Sequence, residues 1–244
     1  MEEKNPGLLY ARKAELTKML EEYRSSHGRD MKKWSDDEWD EFNTIRDQIA
    51  IAEAEAGFAT KRMENISKVT RMQTFDNFEI RSSWQGAIFD QAKSYADYPD
   101  GWFYAGGQSG CGKTHLCMAI CRKIGDSGDL VKFSNWKEDS RILRSFSTET
   151  AKDRENLLFG MKAAKTLFID DFLKGNATEA ERSICYEIID HRYRLNLRTI
   201  ISSEYTLQRL MELFDEAIGG RIAEMCGSNV ITIGSDSAKN YRAG

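Results

Sequence analysis

An α/β fold with a central, mostly parallel five-stranded sheet behind a small N-terminal helical hairpin is predicted by three observations. Past Thr74-Phe75-Asp76-Asn77-Phe78, short apolar runs alternate with longer, helix-like stretches. Such runs suit strands buried on both faces, with helices crossing over between them. A glycine-rich loop, Gly107-Gln108-Ser109-Gly110-Cys111-Gly112-Lys113-Thr114, sits between one run and the helix that follows it. Before all of this, the first segment carries apolar residues at helical rather than alternating spacing.

The elements follow in order. Leu9, Leu16, Leu20 and Tyr23 recur at helical spacing as far as Ser25-Ser26-His27-Gly28. A second helix is expected from Ser35-Asp36-Asp37-Glu38, which has the form of a capping box, with Phe42, Ile45, Ile49, Ala52 and Ala56 as a narrow seam. Two charged helices with one seam bury too little surface to stand as an independent domain. Residues 1–65 are therefore expected to be an arm that packs on itself or the main domain, or docks on a partner's helices. A linker is expected over 66–79 and the main domain over 80–244. In that domain Trp102-Phe103-Tyr104-Ala105 reads as a strand, and Leu116-Cys117-Met118-Ala119-Ile120-Cys121 as the helix after the glycine-rich loop. Leu130 to Ser134 is a strand, followed by a charged helical stretch to about Lys165. Thr166-Leu167-Phe168-Ile169-Asp170 is a buried parallel strand, and Thr178-Glu179-Ala180-Glu181 caps a helix to about Leu195. Thr199 to Ser203 and Val230 to Ile233 supply the last two strands.

Bulk composition narrows the class. The chain has 244 residues, 41% hydrophobic and 30% charged, room for one α/β domain and a small appendage. No apolar run approaches a membrane span, and Met1-Glu2-Glu3-Lys4-Asn5 is unlike a signal peptide, so a cytoplasmic protein is expected. Five cysteines, an odd number, suit reduced thiols. Cys117 and Cys121 share a helix face near His115, but zinc needs four convergent ligands and this helix should be buried, so the thiols are expected as small core residues. The net charge is −4, carried by residues 1–65 with 11 basic and 15 acidic side chains; the remainder is neutral. A globally basic nucleic-acid surface is thereby excluded, and any such binding needs a local patch.

The loop fits G-x-x-x-x-G-K-[ST], and its strand and helix stand where a phosphate-binding loop needs them. Glycines let consecutive N–H groups turn inward towards phosphate oxygens, and the helix N-terminus adds partial positive charge. Gly107 through Thr114 is therefore expected to cradle a nucleoside triphosphate, with Lys113 reaching the β- and γ-phosphates and the Thr114 hydroxyl a ligand of Mg²⁺. An apolar strand ending in Asp170-Asp171 supplies the partner carboxylates, Asp170 for the metal and Asp171 for the attacking water. Ser202-Ser203-Glu204, ending the next strand, could sense the γ-phosphate. Gly219-Gly220-Arg221 could offer a guanidinium to a neighbouring subunit's nucleotide, and Arg242 could reach the phosphates of its own.

This ordering resembles the AAA+ ATPases of the DnaC/DnaI/IstB group, and most nearly the DnaC-like replication proteins of phages and prophages. Phe75-Asp76-Asn77-Phe78 looks like the segment ahead of that domain, Gly107 to Leu116 like Walker A, and Phe168-Ile169-Asp170-Asp171-Phe172 like Walker B. Thr199 to Glu204 is similar to sensor 1, Ile218-Gly219-Gly220-Arg221-Ile222 to the arginine-finger segment, and Asn240-Tyr241-Arg242 to the sensor 2 end. The resemblance covers roughly residues 70–242 and implies a P-loop NTPase fold of AAA+ type using ATP and Mg²⁺. It further implies that Arg221 acts in trans, in a ring or spiral with each ATP between subunits. Members load a DnaB-type replicative helicase onto single-stranded DNA, or help a transposase choose its target on duplex DNA. A P-loop small-molecule kinase is the remote alternative; it would need an arginine-bearing lid, yet the segment between the last two strands is short.

Two departures stand out. Many members have Asn where Glu204 stands, and a carboxylate there would repel a γ-phosphate unless a cation offsets it. Either Ser203 senses the phosphate or Glu204 joins in water activation. AAA+ motors often pair Asp with Glu in Walker B, whereas Asp171 has the shorter reach, which suggests slow turnover suited to a timing switch. For single-stranded DNA, Phe133, Asn135 and Trp136, with Arg141 and Arg144 beyond, offer aromatics for stacking and cations for phosphates.

Overall fold

A computed structural model describes residues 6–27, 34–61, 73–127, 129–145, 147–148, 150–175, 177–214 and 216–234. Asn240, Tyr241 and Arg242 lie outside the described residues, as do the side chains of Leu9, Ala52 and Ala56. The chain divides into two compact units, Met1–Arg62 and Met63–Gly244.

The first unit pairs α1 (Pro6–Ser26) with α2 (Asp36–Lys61). Ser35 caps α2 as the sequence pattern predicts: its Oγ accepts from the Glu38 N–H at 3.3 Å, while the Glu38 carboxylate accepts from the Ser35 N–H at 2.6 Å. Leu16 and Phe42 are buried on the expected seam. An aromatic cluster closes one end of the hairpin. Trp34 is buried, meets Phe42 edge-on at 5.1 Å and Tyr23 at 5.8 Å, and donates its ring N–H to the His27 carbonyl at 3.2 Å. These rings add apolar burial that a narrow aliphatic seam lacks.

The second unit runs α3 (Ser83–Asp97), β1 (Phe103–Gly107), α4 (Lys113–Asp126), β2 (Val131–Asn135), α5 (Trp136–Leu143), α6 (Ala151–Ala163) and β3 (Thr166–Asp170). It continues through α7 (Glu179–Arg194), β4 (Arg198–Ser203), α8 (Leu207–Leu213), α9 (Glu216–Cys226) and β5 (Val230–Ile233). The five strands pair in the order β2-β3-β4-β1-β5, every pair parallel. Strand alternation divides the core between the two sheet faces. Phe103, Ala105, Phe168 and Ile200 pack with α3 and α4 on one face. Tyr104, Leu167, Ile169 and Ile201 pack with α5 to α9 on the other.

The charged stretch expected as one helix to Lys165 is two, α5 and α6. Between them lies a run of hydroxyl residues from Ser145 to Thr150, in which the Ser145 and Thr150 hydroxyls bond each other at 2.6 Å. Such side chains compete for backbone partners and break helices. Residues 73–79, expected as linker, instead pack on the sheet unit: Phe78 is buried, and Phe75 meets Phe89 of α3 edge-on at 5.5 Å. Arg192, near the end of α7 and fully buried, ties the far edge of this unit together. It donates to the carbonyls of Met161 (2.9 Å), Lys162 (3.2 Å), Ala164 (2.7 Å) and Arg198 (2.6 Å), and to the Thr199 hydroxyl (2.9 Å). One guanidinium thereby satisfies the C-terminal carbonyls of α6 and the start of β4 together.

Candidate nucleotide site

The parallel sheet brings the C-terminal ends of β1, β3 and β4 to one rim, where crevices of open α/β sheets form. The glycine-rich loop leaves β1 there. Gly107 has φ 121°, and a side chain on it would run into the Ile233 carbonyl of β5, so only glycine lets the loop leave beside that strand. Gly112 has φ 92° and caps α4, leaving the first N–H groups of the helix facing the cavity mouth. A cavity of about 440 Å³ opens here, lined by Ser109, Gly110, Gly112, Lys113 and Thr114 of the loop. Gly107, Gln108 and Cys111 are not among its lining; the Cys111 thiol is buried and donates to the Gln108 carbonyl at 2.8 Å. The Lys113 ammonium donates to the Gly107 and Gln108 carbonyls at 2.8 and 2.6 Å, folded back over its own loop.

Asp170 and Asp171 enter the cavity from the end of β3. One Asp170 oxygen accepts from the Thr114 hydroxyl at 2.8 Å and also from the Ser202 hydroxyl. Burial pushes the Asp170 carboxyl above its usual range; those two hydrogen bonds pull it back, and the neighbouring Asp171 charge pushes it up again. A buried carboxylate beside a hydroxyl is a hard-oxygen pair of the kind Mg²⁺ takes when its remaining ligands are phosphate oxygens and water. Asp171 adopts φ 54° and donates its N–H to the Ser202 hydroxyl at 3.1 Å. Ser202 therefore organises both acids.

Glu204, not Ser203, faces the cavity. Ser203 is fully buried, its hydroxyl donating to the Phe172 carbonyl at 2.9 Å and accepting from the Tyr205 N–H at 3.2 Å. It braces the loop after β3, and its expected part in phosphate sensing is corrected to that. Alternation explains the difference: Ile200, Ser202 and Glu204 point towards α4, Ile201 and Ser203 away from it. Glu204 is paired with Lys174, whose ammonium lies 2.9 Å from Glu204 Oε1 and 3.2 Å from Asp171 Oδ2. Burial raises the Glu204 carboxyl, but the Lys174 hydrogen bond and charge more than reverse this, with Ser109 and Lys113 contributing, and leave it below its usual range. Burial likewise lowers Lys174, and its two carboxylate partners outweigh that and leave it raised. Lys174 went unforeseen in the sequence; the signal was the surplus of three acids over cations at the strand ends.

The segment ahead of α3 closes another side. Asn77, Phe78 and Glu79 line the cavity. The His115 ring nitrogen bonds the Thr74 carbonyl and the Asn77 side chain, both at 2.9 Å, and Phe78 meets the His115 ring edge-on. All five cysteines are buried and free, and burial pushes the Cys117 and Cys121 thiols well up, away from the thiolate that metal ligation needs.

Arg221 lies outside the cavity lining. Its guanidinium is 3.0 Å from Asp190 Oδ1, donates to the Tyr186 hydroxyl at 3.2 Å, and stands over the Tyr186 and Tyr193 rings on α7.

The expected DNA patch is corrected at Trp136, and its other members are placed as follows. Trp136 is 2% exposed, turned under the sheet against Phe172, so neither ring face is open to a base. Phe133, partly buried, packs on Phe168 against the core of the opposite face. The Asn135 side chain caps α5, accepting from the Glu138 N–H. Arg144 bonds the Ser140 carbonyl and pairs with Glu181 at 3.6 Å. Arg141 is exposed. Trp136→Ala is accordingly expected to cost about 3–5 kcal/mol of stability by opening a core cavity, measured by urea denaturation. Retained stability together with a loss of single-stranded DNA affinity would return Trp136 to a binding role.

No protein-family profile matches the chain. Among curated proteins it is similar to the phage-like element PBSX protein XkdC of Bacillus subtilis, 32% identical over 144 residues, covering 56% of this chain and 52% of that protein. It is similar at 31% over 146 residues to YqaM of the same organism, covering 57% of this chain and 45% of that one, so it spans about half the length of these two relatives. The replicative helicase loader DnaC of Buchnera aphidicola (Acyrthosiphon pisum) is 27% identical over 177 residues, covering 70% of this chain and 71% of that protein. Among solved structures, a DnaC helicase loader superposes with TM-score 0.57 at 21% identity, over 67% of this chain and 98% of that one. DnaI gives 0.56 at 19%, over 69% and 91%. The replication initiator DnaA bound to AMPPCP and single-stranded DNA gives 0.53 at 21%, over 68% and 50%.

Proposed function

From a chain that has the AAA+ P-loop fold and resembles the DnaC helicase loaders, we propose an ATP-dependent loader of the replicative helicase onto single-stranded DNA, in which ATP switches assembly and release. The observation that carries this is the convergence of the glycine-rich loop, the Thr114–Asp170 pair and the Asp171–Lys174–Glu204 bridge on one cavity.

The loop N–H groups and Lys113 hold the phosphates, and ATP binding draws the ammonium off the Gly107 and Gln108 carbonyls. Thr114 and Asp170 hold Mg²⁺, which when bound neutralises phosphate charge. Asp171 orients the attacking water, kept in place by its N–H bond to Ser202. Glu204, paired with Lys174, joins in water activation. Arg242 supplies the sensor 2 contact, as the resemblance implies. Arg221 reaches a neighbouring subunit's nucleotide, so that ATP assembles subunits into a ring or spiral. The helical arm, residues 1–65, docks on the helicase.

Two experiments test this. Helicase should be deposited on circular single-stranded DNA coated with single-strand-binding protein when this chain and ATP are present, and not with ATP omitted. Equal deposition without this chain overturns the proposal. For Arg221, the alanine variant is expected to bind ATP but hydrolyse it about 10³-fold more slowly. Mixing it with Lys113→Ala subunits should restore part of the activity, because each supplies what the other lacks. No recovery on mixing would contradict action in trans.

A further inference from the structure

Asp170, Asp171 and Glu204 all line the cavity that a triphosphate would enter with more negative charge, and the lysines lining it are Lys113 and Lys174. Lys113 belongs to the phosphate loop. Lys174 is held by the turn after β3: its N–H bonds the Asp171 carbonyl at 3.1 Å, and the preceding Leu173 is 1% exposed, anchoring the turn in the core. Its ammonium rests between two carboxylates, 3.2 Å from Asp171 and 2.9 Å from Glu204. An ammonium carries three protons. They meet Glu204 Oε1 at 2.9 Å and Asp171 Oδ2 and Oδ1 at 3.2 and 3.4 Å, and the long Asp171 Oδ1 contact is the one a further acceptor in the cavity can displace.

We propose that Lys174 is the group that reads the terminal phosphate of the triphosphate, with Glu204 and Asp171 as its holders. The proposal rests on the nucleotide-binding reading of this site and deepens it. A neutral amide after β4 would donate to that phosphate unaided; a carboxylate there repels it. The Lys174–Glu204 pair restores a donor while offsetting the charge of Glu204. The same contact links the terminal phosphate to Asp171, so that loss of the phosphate on hydrolysis returns Lys174 to its two acids.

The test is titration of the full chain with fluorescent ATP and ADP in the presence of Mg²⁺. Lys174→Met should weaken ATP by about tenfold or more and ADP by about twofold or less, because only the triphosphate meets the uncompensated Glu204. The double variant Lys174→Met/Glu204→Gln should regain most of the ATP affinity, which a purely structural role for Lys174 does not predict. Should Lys174→Met fail to fold, Lys174→Gln serves in its place with the same expectation. Equal weakening of ATP and ADP, or a double variant no better than the single, overturns the proposal. A wild-type chain that binds neither nucleotide fails the underlying reading, an outcome distinct from wild-type binding with no selective loss in the variant.

Discussion

Lys113→Ala is expected to lower ATP affinity by about 10²-fold or more while leaving the fold intact, since charge-assisted hydrogen bonds contribute about 1.5–3 kcal/mol each and this ammonium can make two to phosphates. In the structure those bonds go to the Gly107 and Gln108 carbonyls, with Lys113 8% exposed. The protein therefore keeps the charge poised at the loop, and binding exchanges carbonyl acceptors for phosphate ones. Because the displaced carbonyls lie at the loop, water can replace the lost ammonium, and stability should change little. Isothermal titration with a non-hydrolysable ATP analogue checks the affinity, and a thermal melt the fold. An affinity within about threefold of wild type would mean that the loop does not bind triphosphate through Lys113.

Arg192→Met is expected to cost about 3–5 kcal/mol of stability, as much as Trp136→Ala, or about 10 °C in melting temperature. The substitution keeps much of the volume but strands four carbonyls and one hydroxyl that the guanidinium satisfies. Each unsatisfied buried acceptor costs about 1–3 kcal/mol, partly recovered where relaxation admits water. Nucleotide affinity of the folded fraction should be unaffected, because Arg192 is not among the residues lining the nucleotide cavity. Urea denaturation followed by tryptophan fluorescence reads the loss. A change below about 1 kcal/mol would show that water takes over those carbonyls at little cost.

Much of the fold was legible because parallel strands buried on both faces announce themselves as apolar runs: Thr166 to Asp170 and Val230 to Ile233 have the expected bounds. The phosphate loop was legible because its function depends on backbone conformation, and the glycines that permit it stand in the sequence. Trp136 misled because an aromatic beside basic residues at a strand end looks alike whether it faces a base or the core. Alternation along β2 would have helped, since Val131 and Phe133 share the α4 face and Trp136 falls on the other. The same parity separates Ser203 from Glu204. The acids at the strand ends called for a cation but did not single out Lys174: its partners, Asp171 and Glu204, stand 3 and 30 positions away, and only the packing of β3 beside β4 brings them together. The Arg192 staple is hidden likewise, since its acceptors are backbone carbonyls that no residue type betrays.

The most direct measurement is light scattering behind a sizing column, with this chain mixed with the replicative helicase of its own host. Mixtures would be run with ATP, with ADP and with no nucleotide, each with and without single-stranded DNA. The ATP-switched loader predicts a stoichiometric complex with the helicase whose mass changes with nucleotide or DNA. It further predicts that Lys113→Ala abolishes that change. Intact helicase eluting apart from this chain under every condition would contradict it.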